Sequence, residues 1–135
     1  MEEEITVSKT AAKIQGTTAN LKEGDILTVE QLCYGMMLPS GNDAAYALAE
    51  HFGNLVKDKK YSKQSGLKFR GPWSSQFQNT TVKYFLSEMN GQANRLKMSG
   101  TVYDSPHGLA NKMNMSTAED QAYLVCECMK YDFFR

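Results

Sequence analysis

The sequence predicts a mainly α fold with a β remnant, and three observations predict it. Four stretches repeat apolar residues at helical spacing, two of them open on a hydroxyl residue answered by Gln or Glu one turn later, and strict apolar alternation occurs only near the N-terminus. The length of 135 residues suits a single domain, 1–135, with one core. With 41% hydrophobic and 22% charged residues the composition is that of a soluble globular chain. No apolar run approaches the roughly 18 residues that cross a bilayer.

Ile5 and Val7 alternate with polar residues from Glu4 to Ser8 and read as a short strand, followed by loop to Asp25. Thr28-Val-Glu-Gln31 has the spacing of a capping box, in which the hydroxyl takes an orphan amide and the glutamine answers it. Val29, Leu32, Cys33, Met36 and Met37 then form one apolar stripe, so Met36 and Met37 are expected in the core. Pro39 stops this helix, because proline disfavours helical angles at the residue before it. Ser40-Gly41-Asn42-Asp43 is a tight polar corner, and a second helix with the stripe Ala45, Leu48, Ala49 and Phe52 is expected to end at Gly53. His51 would sit at that helix end, solvated, where a cation suits the carbonyl dipole.

Residues 54–80 lose periodicity and read as a basic surface insert. A third helix carries Val82, Phe85, Leu86, Met89, Ala93 and Leu96 and finishes near Met98-Ser99-Gly100. After an irregular stretch from Thr101 to Asn114, Ser116-Thr-Ala-Glu119 reads as a second capping box, opening a helix with the stripe Ala118, Ala122, Val125 and Met129.

Charge and cysteine usage narrow the function classes. Fifteen acids balance fifteen bases, so no overall field selects nucleic acid or an anionic membrane. The distribution is uneven: residues 1–53 are acidic and residues 54–80 are basic. Six Lys and Arg with Tyr61, Phe69, Trp73 and Phe77 among them make that insert either a solvated excursion or a dock for an acidic protein surface. Three cysteines, Cys33, Cys126 and Cys128, do not make a disulfide framework, and Met1-Glu2-Glu3-Glu4 is acidic where an export signal is basic and then apolar. An intracellular location is expected. Cys126 and Cys128 point about 200° apart on a helix, so they do not share a zinc and read as core and boundary residues. No metal or cofactor is expected.

Met37-Leu-Pro-Ser-Gly-Asn-Asp-Ala-Ala45 resembles the second signature of the penicillin-binding serine D-alanyl-D-alanine carboxypeptidases, peptidase family S11. Ile5 to Lys13, Gly16 to Asp25, Thr101-Val-Tyr-Asp-Ser-Pro-His-Gly-Leu109 and Ser116-Thr-Ala-Glu-Asp120 resemble further segments of that family in the correct order. The resemblance implies the helical subdomain of the β-lactamase and penicillin-binding-protein-like fold, with a short N-terminal strand and most of the α/β sandwich absent. It also implies that Ser40 is the proton relay of the second motif and that Asn42 orients substrate and lysine, with Pro39 and Gly41 shaping the corner. By residue type alone, Ser40 and Asn42 would equally suit a helix cap. His107 falls in a segment that looks structural, where a buried imidazole bonded to backbone is expected, and Ser105 stands where the family more often has Asn.

The other two motifs of the family depart from the pattern. No Ser-x-x-Lys precedes Ser40; Thr10-Ala-Ala-Lys13 has the spacing with a threonine, and Ser65-Gly-Leu-Lys68 fits the formula only after the second motif. Neither Lys-Thr-Gly nor Lys-Ser-Gly occurs. Losing the nucleophile of such a site costs on the order of a million-fold in turnover. The expectation is therefore a catalytically inactive structural component of a larger protein assembly, with another chain covering the exposed helical face. The alternative is one half of a split or truncated carboxypeptidase whose nucleophile lies on another chain.

Overall fold

The computed structural model describes residues 2–61, 80–110 and 112–135. Strand β1 (Glu4–Thr6) pairs antiparallel with β2 (Ile26–Thr28), Ile5 opposite Leu27. Val7 N to Asp25 O at 2.8 Å and Val29 N to Glu3 O at 3.0 Å prolong the pairing at both ends. β2 lies just beyond the stretch read as loop, and its Ile-Leu pair acquires meaning only through this distant partner. Ala11–Lys13 form one 3-10 turn between the strands.

Helix α1 (Val29–Met37) opens on the capping box expected of it, with both reciprocal bonds between Thr28 and Gln31 present. Its stripe is only partly inward: Val29 and Leu32 are buried, Cys33 and Met36 are half-buried, and Met37 is 68% exposed. The helix does end before Pro39, by a mechanism other than the expected one. Leu38 keeps helical angles (φ −73, ψ −55) and still donates to Tyr34 O. Pro39 has no N–H to give Gly35 O, and Gly41 N takes that carbonyl instead at 3.1 Å.

Helix α2 (Asn42–Tyr61) is the central element. Every residue from Asn42 to Ala49 is buried, so its first two turns face protein on all sides rather than along one stripe. The four alanines 44, 45, 47 and 49 make this possible by letting neighbours approach closely. The helix runs past Gly53 instead of ending there. A Cβ at Gly53 would lie 2.0 Å from Thr81 O, so this glycine serves the crossing of α2 with α3 (Thr80–Arg95). His51 is accordingly mid-helix, half-buried, with Nε2 3.0 Å from Glu3 Oε1 and its ring edge-on to Phe52. Residues 54–61 extend α2, and the rest of the expected insert, residues 62–79 with Ser65-Gly-Leu-Lys68, lies outside the described residues.

α3 packs Val82 and Leu86 into the core with α2, also buries Ala93, and closes with Lys97 in the left-handed region (φ +59). Met98 N bonds Ala93 O at 2.9 Å and Lys97 N bonds Asn94 O at 3.0 Å, which satisfies the last carbonyls and drives Met98 into the interior. The cap of α4 (Ala118–Cys128) is one residue later than expected: Thr117, not Ser116, accepts from Asp120 N. Asp120 is buried and accepts from Gly100 N at 2.9 Å and Thr101 Oγ1 at 2.6 Å, tying α4 to the end of α3. The stripe of α4 does not join the core, since Ala118, Ala122, Val125 and Met129 are all exposed. Cys126 is exposed and Cys128 half-buried, so neither is a core residue.

Candidate active site

The corner between α1 and α2 is built by residues on both of its sides. Ser40 is exposed and takes φ +58, a left-handed conformation that L residues resist and achiral glycine does not. Gly41 is buried beneath it, and a Cβ there would meet Gly35 O at 2.5 Å, Asp43 Oδ1 at 2.8 Å and Ala19 N at 2.9 Å. Only glycine fits. Gly41 O accepts from Ala45 N at 3.2 Å, so Gly41 rather than Ser40 is the backbone cap of α2.

Asn42, 4% exposed, opens the helix with its side chain turned to the preceding segment: Nδ2 donates to Gln15 O at 2.8 Å. It packs so closely on Gly16 (φ +103) that a Cβ there would lie 2.3 Å from Nδ2. The Asn42 backbone N–H donates to Thr17 O at 2.8 Å, while Thr17 Oγ1 donates to Ser40 O at 2.5 Å.

Asp43, 1% exposed, completes the corner. Its Oδ1 accepts from Ala19 N at 2.8 Å and from Ala44 N at 2.9 Å. Its Oδ2 accepts from Thr18 Oγ1 at 2.5 Å and from Leu21 N at 3.0 Å. Burial by itself would raise this carboxyl, but the bonds from Ala19, Thr18, Leu21 and Ala44 outweigh it and hold the group below the usual aspartate value. Sequence reasoning placed Ser40 and Asn42 at this corner, and the structure brings them there together. Sequence reasoning also places Asp43 at the corner but gives it no role, although an acid in the first turn of a helix was an available signal, and it misses Thr17, which nothing local marks.

The remaining candidates lie on other parts of the molecule. His107 is half-buried, and its Nδ1 accepts from Leu109 N at 3.2 Å, the backbone-bonded role expected of it. Burial lowers its pKa, favouring the neutral ring with the proton on Nε2. Asn114 holds the same loop, accepting from Asp104 N at 2.6 Å and donating to Ser105 Oγ at 2.7 Å. Asn90 of α3 fixes its start, accepting from Tyr103 N at 2.9 Å and donating to Tyr103 O at 2.7 Å. An open cleft of about 360 Å³ runs beside this loop between Met89, Tyr103, Pro106 and Met115. Thr10 precedes the 3-10 turn 11–13 without a side-chain cap bond; its carbonyl accepts from Lys13 N at 3.2 Å, and the Ser8 hydroxyl accepts from Ala11 N at 3.0 Å. Among the described residues no His, Cys, Asp and Glu cluster is fit to hold a metal ion.

A family model described as D-alanyl-D-alanine carboxypeptidase matches residues 1–70 and 75–134. The chain belongs to the D-alanyl-D-alanine carboxypeptidase family. It is 37% identical over 117 residues to the D-alanyl-D-alanine carboxypeptidase of Streptomyces sp. (strain K15), covering 87% of this chain and 33% of that protein. Against the D-alanyl-D-alanine carboxypeptidase DacF of Bacillus subtilis it is 26% identical over 132 residues, 98% of this chain and 27% of the relative. The crystal structure of the Streptomyces K15 DD-transpeptidase superposes with a TM-score of 0.76 at 33% identity, covering 99% of this chain and 45% of that one. The chain thus spans about a third or less of the curated carboxypeptidases it matches and adopts part of the penicillin-binding-protein-like fold. Among the described residues no helix is long and apolar enough to cross a membrane.

Proposed function

We propose that these residues form the helical part of a serine D-alanyl-D-alanine carboxypeptidase site, contributing Ser40 as proton relay and Asn42 as substrate-orienting amide while supplying no nucleophile. The corner itself carries this reading. An exposed serine in a left-handed turn beside a pinned asparagine is a costly arrangement, and strain of this kind collects at functional sites. The nucleophilic Ser-x-x-Lys and the Lys-Thr-Gly strand are to be supplied from outside the 135 residues. Alone, the chain hydrolyses nothing.

Complementation tests this reading. The chain is combined with a separately produced polypeptide carrying the Ser-x-x-Lys and Lys-Thr-Gly elements, and acylation by a fluorescent penicillin is followed. Acylation should appear on the added polypeptide and fall by about a hundredfold or more with Ser40→Ala, the loss typical of a missing proton relay. Acylation indifferent to Ser40→Ala and Asn42→Ala would remove the chain from the site.

A second reading, a catalytically inactive scaffold within an assembly, is supported by the apolar surface of α4 and the residues after it. Tyr123, Val125, Met129, Tyr131, Phe133 and Phe134 are all about half exposed or more, and a covering protein chain accounts for them. Cys33, Cys126 and Cys128 are free, which fits an intracellular setting for such a scaffold. The basic insert would then dock an acidic protein surface. Co-purification with a chain unrelated to the carboxypeptidases favours this reading, and recovery of a partner bearing Ser-x-x-Lys opposes it.

A further inference from the structure

Ser40 faces conflicting demands. The corner needs a left-handed residue, which glycine supplies freely, yet a glycine there would remove the hydroxyl. A serine must therefore be held in a conformation it does not choose. Thr17 is the residue that spans the turn leaving Ser40, from the Ser40 carbonyl to the Asn42 amide. The Thr17 hydroxyl donates to the Ser40 carbonyl, and the Thr17 carbonyl accepts from the Asn42 N–H. Thr17 cannot drift, because the segment is fastened on each flank: Gln15 O to Asn42 Nδ2, and Thr18, Ala19 and Leu21 to the buried carboxylate of Asp43.

We infer that Thr17 is a positioning residue of the site, a clasp whose hydroxyl and carbonyl hold Ser40 left-handed and so set the placement of Ser40 relative to Asn42. This rests on the reading of Ser40 and Asn42 as site residues. It extends that reading to a residue on a separate segment, far from the motif in sequence. The hydroxyl is the essential group; the β-branch is not.

The test uses the full chain and amide hydrogen exchange followed residue by residue. Thr17→Val keeps the shape and removes the donor. It should speed exchange at Gly41 and Asn42 about five- to tenfold, the shift one lost hydrogen bond gives, and leave Val82 and Leu86 unchanged. Thr17→Ser, which keeps the hydroxyl, should restore both amides to within about twofold. Unchanged exchange in Thr17→Val, or failure of Thr17→Ser to restore it, overturns the inference.

Should Thr17→Val fail to fold, the same change is made together with Ser40→Gly, where residue 40 turns left-handed without help. The pair should then fold with native exchange in α3, whereas equal damage with and without Ser40→Gly contradicts the clasp. In the complemented site, Thr17→Val should slow acylation at saturating penicillin and Thr17→Ser should recover it. If complementation yields no acylation with Thr17 in place, the functional reading fails, while the exchange result still decides the clasp.

Discussion

Truncating Asp43 leaves Ala19 N, Leu21 N, Ala44 N and the Thr18 hydroxyl without their common acceptor. Hydrogen bonds to a charged group contribute about 1.5 to 3 kcal/mol each, and the orphaned donors partly recover water. Asp43→Ala is therefore predicted to lower stability by about 3 kcal/mol in urea denaturation. The pH dependence follows from the depressed pKa of this carboxyl. Below its folded value the group is protonated in both states and contributes nothing; above the unfolded aspartate value of about 3.9 the stabilisation is fully present. Stability should thus fall as acid is added through that interval. Asp43→Asn should flatten this part of the profile, and an identical acid limb in wild type and Asp43→Asn would contradict the assignment.

Among the elements, the crossing of α2 and α3 is the most exacting. Gly53 sits against Thr81 O, where any Cβ would be 2.0 Å from a backbone carbonyl that cannot swing aside. Gly53→Ala gains helix propensity but must push α3 away, and overpacking of this kind costs about 1 to 3 kcal/mol. A lowered melting temperature is expected for Gly53→Ala; a raised one would mean the helices are further apart than described.

The same residue shows why elements are only partly legible in a sequence. The capping box at Thr28 and Gln31 was readable because every bond in it is local. Gly53 reads locally as a helix end, whereas its role is a close approach from a helix that begins 27 residues later. β2 was missed for the same reason, since Ile26 and Leu27 become a strand only by pairing with Thr6 and Ile5. In the site, Ser40 and Asn42 stood out through motif spacing, while Thr17 and Asp43 act through bonds spanning more than twenty residues.

At the scale of the whole molecule, the core is concentrated where α1, α3 and the strand pair meet the first turns of α2, and α4, tied to the end of α3 through Asp120, keeps its apolar stripe outward. Replacing Val125 and Met129 by Lys should change stability by less than about 0.5 kcal/mol, as for exposed positions, and should reduce binding of a hydrophobic dye. Unfolding of that variant would mean that the rest of these 135 residues covers the face.

Most direct is a mass-spectrometric search for acylation of the purified chain, with no other polypeptide present, after incubation with penicillin. The unmodified mass alone is expected, because the corner presents Ser40 and Asn42 without a Ser-x-x-Lys nucleophile before them. A stoichiometric penicilloyl adduct on any serine of this chain would contradict that claim.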